Sequence, residues 1–581
     1  MPPTVQEALS VDIHLLGDML GTTIRRLAGE ETYALVEEVR AAAKELRADP
    51  SLDEARKLRD RLAGLDVAKL RALIRAFSTY FDLINLAEQQ ARVRALRERE
   101  SGDTPLAESP EAALRLLRLR GVEAGELEDH LSRALVVPVF TAHPSEARRR
   151  TILEKLTAIA RQLDRLAHGD PLPVERAEAL AEIAEEIEAL WLSETVRAAR
   201  PSVRDEVRQG LRVVESSLFN VVPRVYQQLE ASLDRVYPGR SWHVPPFLTF
   251  GSWIGGDRDG HPGVTHQVTI EAVREQQEAV LRHYLARMDD LWRRLSHSDR
   301  IITPGTAFLD SLARDATLLP EVAGSPAHEP YRAKCRMISA KLRRTLEYLR
   351  TLTLRWADDA PEPPRGVYLG QRELLDDLWL IAKDLEHAGA AGAAKGAVRD
   401  VIRLVEVFGV HLMTLDLRQH SGAHMRALDE IFRRASVHDS YATLDPEARW
   451  DLLAAELEQT RPLVPARPEF SDETNEVIRT FRTAAALLEQ QCPEALRTYI
   501  ISSTTEPGHL LEVLLLAREA RLFRPEEKIS RLDIVPLFEA LEPLRDAPAI
   551  MRRLFELPVY RQHLALRGDI QEVMIGYSDS N

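Results

Sequence analysis

Over most of the chain, apolar residues recur every three or four positions among Glu and Arg, the spacing of helices that bury one face. The stretches "ETYALVEEVRAAAKELR" (31–47) and "HLLEVLLLAREARLF" (509–523) follow it, and "PVERAEALAEIAEEIEALWLSETVRAA" (173–199) predicts one long Ala/Glu/Leu helix. Stripes of this kind ordinarily build scaffold. Pro and Gly interrupt the pattern at "DDAPEPPRG" (358–366) and "EHAGAAGAAKGA" (386–397), which read as surface loops or linkers. No clean internal repeat is present.

Six short apolar runs stand out from this background: "LVVPVF" (135–140), "PFLTF" (246–250), "VHLMTLDL" (410–417), "TYIIS" (498–502), "LDIVPLF" (532–538) and "EVMIGY" (572–577). They are continuous rather than alternating, as in strands buried on both faces. Helical segments separate them, so parallel pairing through helical crossovers is expected. Each run ends in polar, chemically capable residues: "TAHPSEARRR", "GSWIGGDRDG", "RQHSGAH", "STTEPGH", "EALE" and "SDSN". That is the pattern of a (β/α)8 barrel, whose site lies at the C-terminal ends of its strands. The expected fold class is therefore mainly α with an α/β core, a (β/α)8-type barrel with large helical insertions. Only six of eight strands are counted, so the barrel is expected to be incomplete in this chain, with the others beyond Asn581. Residues 1–130 read as a helical N-terminal region and 131–581 as the incomplete barrel of a single-domain enzyme.

Composition narrows the function classes. Apolar residues make up 45% and charged residues 29%, with a net charge of -14, which speaks against a nucleic-acid or anionic-membrane surface. Two cysteines, Cys335 and Cys492, exclude a disulfide framework and fit a reducing compartment. The first residues lack the basic and apolar blocks of a signal peptide, and no apolar run is long enough to span a bilayer, so the cytoplasm is expected.

The strand ends hold the candidate chemistry. In "FTAHPSEARRR", His143 precedes Pro144, which biases it to extended geometry and aims the imidazole; Arg148, Arg149 and Arg150 follow. His beside Arg suits an anionic substrate, and the alternative is a helix start capped by Ser145. In "GSWIGGDRDGHPGVT", Gly251, Gly255, Gly256 and Gly260 surround Asp257, Arg258 and Asp259. This is neither a P-loop nor a dinucleotide fingerprint. The glycines let backbone N–H groups approach a ligand, and Trp253 can wall an apolar part of a substrate. A turn whose Asp and Arg residues pair with one another is the alternative. In "LMTLDLRQHSGAH", Asp416 and Arg418 fall on one strand face. Arg418 there can grip a phosphate or carboxylate, and a structural Asp–Arg pair accounts for it equally well. His420 and His424 have the i, i+4 spacing of metal ligands, but no Cys stands near them and zinc is disfavoured. Glu539 and Asp579 end different strands and can converge on a hard cation, Mg²⁺ or Mn²⁺.

Together "DIHLLGDMLGTTI", "TAHPSEARRRT", "FGSWIGGDRDGHPGVT", "TLDLRQHS", "VPLFE" and "MIGYSDSN" resemble the phosphoenolpyruvate carboxylase family, in that family's order and over nearly the whole chain. The resemblance implies an allosteric, homotetrameric lyase of the cytoplasm. Such an enzyme carboxylates phosphoenolpyruvate with bicarbonate, giving oxaloacetate for the tricarboxylic acid cycle and phosphate, with Mg²⁺ or Mn²⁺. It implies Glu539 and Asp579 as metal ligands, His143 as the catalytic histidine acting on carboxyphosphate, and Arg418 as a phosphate contact. Trp253, Leu537 and Met574 would surround the substrate's methylene end. Ser145, His261 and His420 stand where the family usually has Thr, Asn and Glu, which bears on local hydrogen bonding. The family continues past "SDSN" with Lys and Asp, a Gly/Arg-rich loop, further substrate arginines and an inhibitor site. The chain is therefore expected to be an N-terminal portion, inactive as a carboxylase alone. The reading from another class is a non-catalytic helical scaffold or binding protein that retains a partial site.

Overall fold

The computed structural model describes residues 5–102, 105–141, 149–167, 171–194, 201–240, 242–324, 327–356 and 362–576. The chain divides into two compact units, Met1–Arg120 with Pro144–Arg200, and Gly121–His143 with Pro201–Asn581.

The first unit is helical throughout its described residues, with helices Val5–Ala28, Glu30–Ala48, Leu52–Ala63, Val67–Glu100, Pro110–Leu119, Arg150–Ala167 and Pro173–Leu192. Their apolar stripes meet in one core around Leu16, Leu20, Ile24, Leu83, Ile159, Ile183 and Ile187. The helix read at 31–47 forms as Glu30–Ala48, while the one read at 173–199 stops at Leu192. Polar caps mark the starts: the Ser51 side chain accepts from the Glu54 amide, and Asp66 accepts from Lys69.

The second unit carries the sheet. Its strands are β1 (Val139–Phe140), β2 (Gly251–Ser252), β3 (Thr414–His420), β4 (Leu496–Ser502), β5 (Phe523–Arg524), β6 (Ile529–Ser530), β7 (Asp533–Phe538) and β8 (Met574–Ile575). Six of them form one sheet in the order β1-β2-β3-β4-β7-β8, every pairing parallel. All six apolar runs thus contribute to it, and neighbours in the chain are neighbours in the sheet. A mainly helical α/β protein with a parallel sheet is what the pattern predicted; the six strands do not by themselves make a closed eight-stranded barrel. Parallel pairing puts the C-terminal ends of all six along one edge, and the described polar residues after β2, β3, β4 and β7 follow there.

Strand limits differ from the runs: β1 takes only Val139–Phe140 and β8 only Met574–Ile575, with larger differences elsewhere. The run 410–417 starts the strand too early, because Gly409 (φ 53) and Leu412 (φ 72) turn the chain before Thr414; the strand then continues to His420. "PFLTF" adds only the bridge Leu248–Val136, and the paired residues are Gly251 and Ser252. β5 and β6 pair as an antiparallel ribbon that no apolar run announced. The Gly/Ala-rich stretch 386–397 is only partly a loop: Ala391–Ala393 and Ala394–Val398 wind as helical turns, kinked at Gly396. No described helix is long and apolar enough to cross a membrane.

Candidate functional site

The turn after β2 is fastened to the end of β3. Arg258 N–H donates to the Arg418 carbonyl at 2.9 Å, and Arg418 N–H donates to the Gly256 carbonyl at 3.1 Å. Only glycine allows this approach: a Cβ at Gly256 would stand 2.0 Å from the Asp416 carbonyl oxygen, and Gly255 has φ +92 with a Cβ position 2.5 Å from that of Ala272. The strand-to-turn path holds Trp253 through its N–H, which donates to the Phe140 carbonyl at 2.8 Å.

Fixed in this way, Trp253 and Arg418 meet. The Arg418 guanidinium lies over the indole, 4.7 Å from the ring centroid, and its Nε donates to Asp257 Oδ1 at 2.8 Å. The Asp–Arg pair left open above is therefore made, but across two strands, with Asp257 and not with Asp416. Arg258 does not pair within its turn either. It is buried, and donates to the Gly256 carbonyl at 2.7 Å and to Thr269 Oγ1 at 2.5 Å. Asp416 takes the indole N–H of Trp253 at 3.1 Å. Burial pushes its carboxyl up to about 7, aided by Glu572 and opposed by the Trp253 and Thr498 hydrogen bonds and by Arg497. Opposite Asp416 the β3–β4 register shifts between Leu415 and Leu417, where β4 carries one extra residue.

Trp253 and Met574 both pack on an apolar cluster of Ile500, Val535 and Leu537. The three residues named for an apolar wall are thus together, though Leu537 is fully buried, so Trp253 and Met574 form the accessible part. Glu539 follows β7, half-buried, with Oε1 accepting from the Ser503 amide at 2.7 Å and the Ser503 hydroxyl at 3.2 Å. Ser503 adopts φ 52 to reach it. Gly576 comes close on the other side, since a Cβ there would lie 2.8 Å from the Glu539 Cβ. A carboxylate oriented through one oxygen is a suitable hard ligand for a divalent cation. Its expected companion Asp579, and His143 with Ser145, lie outside the described residues.

His420 and His424 do not converge on a metal. His424 is buried, with Nε2 2.7 Å from the Tyr499 hydroxyl, and burial lowers its pKa to about 3. His420 Nδ1 accepts the Gly422 amide at 3.0 Å, capping the helix Ser421–Arg434. Sequence reasoning missed Asp416 as the partner of Trp253 and Ser503 as the anchor of Glu539. The first pairing spans 163 residues and leaves no local signal; the second had one, since Ser503 opens the "STTEPGH" segment.

Comparisons with known proteins show the family of the chain. The family model described as phosphoenolpyruvate carboxylase matches residues 9–581. A Roseiflexus castenholzii protein of that name is 46% identical over 99% of this chain and 62% of its own length. Relatives of the same name from Nocardia farcinica and Aromatoleum aromaticum are each 38% identical, over 98% and 99% of this chain and 61% and 62% of their own lengths. The chain therefore spans less than two thirds of the relatives it matches.

Proposed function

The chain belongs to the phosphoenolpyruvate carboxylase family, and from that premise we propose that it carries the strand-end machinery that carboxylates phosphoenolpyruvate with bicarbonate to oxaloacetate and phosphate. The observation that carries the reading is Trp253, which bears the Arg418 guanidinium on its ring and packs with Met574 on the Leu537 cluster. A cation for phosphoryl oxygens and an apolar cover for a methylene carbon are what this substrate needs. The same proposal includes an eight-stranded barrel, an allosteric homotetramer and a cytoplasmic setting.

In this mechanism a bicarbonate oxygen attacks phosphorus and the bond from phosphorus to the enol oxygen breaks, leaving an enolate and carboxyphosphate. Arg418 neutralises the phosphoryl oxygens, and Asp257 and Trp253 hold its guanidinium in one plane for the purpose. His143 acts on carboxyphosphate, which separates into CO₂ and phosphate. The enolate carbon then takes CO₂, while Trp253 and Met574 keep water from protonating it first. Glu539 and Asp579 would hold Mg²⁺ or Mn²⁺, which supplies further charge neutralisation for the phosphoryl and enolate oxygens.

The test follows oxaloacetate by coupling to malate dehydrogenase, and Mn²⁺ binding in parallel. In a version extended to the relatives' full length, His143→Asn should abolish oxaloacetate formation and leave Mn²⁺ affinity in place. Arg418→Gln should lower kcat/KM by roughly 10²–10³. Glu539→Gln and Asp579→Asn should each weaken Mn²⁺ strongly. Unchanged carboxylation in His143→Asn would overturn the assignment. Binding of Mn²⁺ and phosphoenolpyruvate with no turnover, in the chain and in every longer form, would favour the non-catalytic binding reading.

A further inference from the structure

We propose that His411, Cys492 and Glu494 form a separate cation site, for a borderline-soft divalent ion such as Zn²⁺, at the amino-terminal edge of the sheet. It lies at the opposite ends of β3 and β4 from Arg418 and Ser503, and it does not rest on the proposed reaction.

Topology brings the three side chains together. His411 sits in the turn between helix Arg399–Phe408 and β3, and Cys492 and Glu494 in the turn between helix Asp472–Gln490 and β4. The pairing of β3 with β4 draws the two turns against each other: Leu415 N–H donates to the Ala495 carbonyl at 2.8 Å, and Thr414 Oγ1 to the Glu494 carbonyl at 3.5 Å. One ligand atom from each of the three side chains lies within 4.8 Å of the other two. Among the described residues no other His, Cys, Asp or Glu group of three does so.

The donor chemistry selects the ion. Imidazole nitrogen, thiolate sulfur and carboxylate oxygen are the ligands of Zn²⁺ and its neighbours, whereas Mg²⁺ takes oxygen. Cys492 is fully buried, and its thiol donates to Glu494 Oε2 at 3.3 Å. Two ligands on one tetrahedral Zn²⁺ stand roughly 3.3–3.8 Å apart, given its bond lengths, so this pair already has the required edge. The imidazole has at most about 1.5 Å to close. His411 Nδ1 is buried and has no hydrogen-bond partner among the described residues, a condition protein interiors rarely leave. Glycines hold the cradle close: a Cβ at Gly409, which has φ +53, would stand 2.5 Å from His411 Nδ1, and one at Gly370 would stand 3.1 Å from Glu494 Oε1. On binding, the Cys492 S–H bond breaks, its proton leaves to solvent, and the sulfur–metal bond takes its place. A water fills the fourth position. The bound ion would staple the turn before β3 to the turn before β4.

The experiment uses the 581-residue chain, stripped with a chelator and titrated with Co²⁺, because a thiolate on Co²⁺ gives an intense near-ultraviolet charge-transfer band that oxygen and imidazole ligands do not. The band should saturate at a single equivalent, be displaced by Zn²⁺, persist in Cys335→Ser and vanish in Cys492→Ser. His411→Asn should weaken Co²⁺ at least tenfold, and Zn²⁺ should raise the melting temperature of the unsubstituted chain but not of Cys492→Ser. Circular dichroism establishes that each variant is folded. No band in the folded unsubstituted chain, or a band that survives Cys492→Ser, overturns the proposal and leaves Cys492 as a buried donor to Glu494. The Glu539 site contains no sulfur, so failure of the carboxylase reading leaves this readout unchanged.

Discussion

Two clusters of buried charge in the sheet-bearing unit respond to burial in opposite ways. Between helices Thr306–Leu318, Pro330–Thr351 and Gln371–His387, Lys334 Nζ lies 2.6 Å from both Asp315 and Asp377, and Lys341 Nζ lies 2.7 and 2.9 Å from the same two acids. Ser311 and Tyr368 complete the hydrogen bonding. Burial raises the Asp377 pKa, but Lys334 and Lys341 together outweigh it and the carboxyl ends below its ordinary value. At the sheet edge Asp416 is half-buried, its hydrogen-bond donors are the neutral Trp253 indole and Thr498, and desolvation takes its carboxyl up to about 7. Two lysines against two aspartates cancel and build structure. A desolvated carboxyl with neutral donors holds its proton to higher pH, whether it lies at a strand end like Asp416 or in the interior like Glu512 beside Tyr441.

The largest effect should come from unbalancing the first cluster. Lys334→Met leaves two buried aspartates with one lysine, and the loss should be about 3–5 kcal/mol, read as a lower urea midpoint for the sheet-bearing unit. A midpoint equal to that of the unsubstituted chain would erase the contrast. Asp416→Asn should act the other way and only above acid pH. Because the folded pKa of Asp416 lies above the unfolded value, the native state binds the extra proton, and stability falls as pH rises from about 4 to 7. Asn removes that slope. The variant should gain on the unsubstituted chain across that window, by on the order of a few kcal/mol, and then run parallel to it. Melting temperatures at pH 5 and pH 8 that shift equally would refute this.

Trp253→Phe removes the N–H that favours the ionised carboxylate, so the pH at which the Asp416 slope flattens should move further up, with a stability change of about 1 kcal/mol. An unmoved profile would show that burial alone sets this carboxyl. Smallest of all, Ser503→Ala deletes the 3.2 Å hydroxyl bond to Glu539 while keeping the 2.7 Å amide bond. Mn²⁺ titration should show a few-fold weakening, since the backbone donor still aims the carboxylate; a loss as large as that of Glu539→Gln would mean the hydroxyl does the orienting.

The sheet was legible because strands buried on both faces must be apolar at every position, and nothing else in a helical chain looks like "TYIIS" or "LDIVPLF". The β5–β6 ribbon was not, because two residues per strand carry no period. Trp253, Arg418, Leu537 and Met574 could be named from motifs, and the structure brings them together. What motifs could not supply is who holds whom. Asp257 reaches Arg418 across 161 residues, and His411 meets Cys492 and Glu494 only because β3 lies beside β4. Such partners are decided by topology, after the chain has folded back on itself. His424 shows the converse: its spacing from His420 suited a metal, and the helix turned it instead into the interior against Tyr499.

The glycine turn at Gly255–Gly256 also sets a schedule. Its backbone bonds go to the end of β3, and the Asp257–Arg418 contact they support spans 161 residues. A ribosome adding about 5–20 residues per second makes the turn roughly 8–30 seconds before its partner strand exists. Throughout that interval the Gly-rich segment has β1 and the helix His266–Arg294 to pack on, through Phe140, Thr269 and Ala272, but not the strand that holds its Gly256 and Arg258 backbone. Docking this turn on β3 is then a long-loop closure that leaves no room for a methyl group at Gly256, so even a conservative Ala there should be felt first as slow or failed maturation of newly made chains.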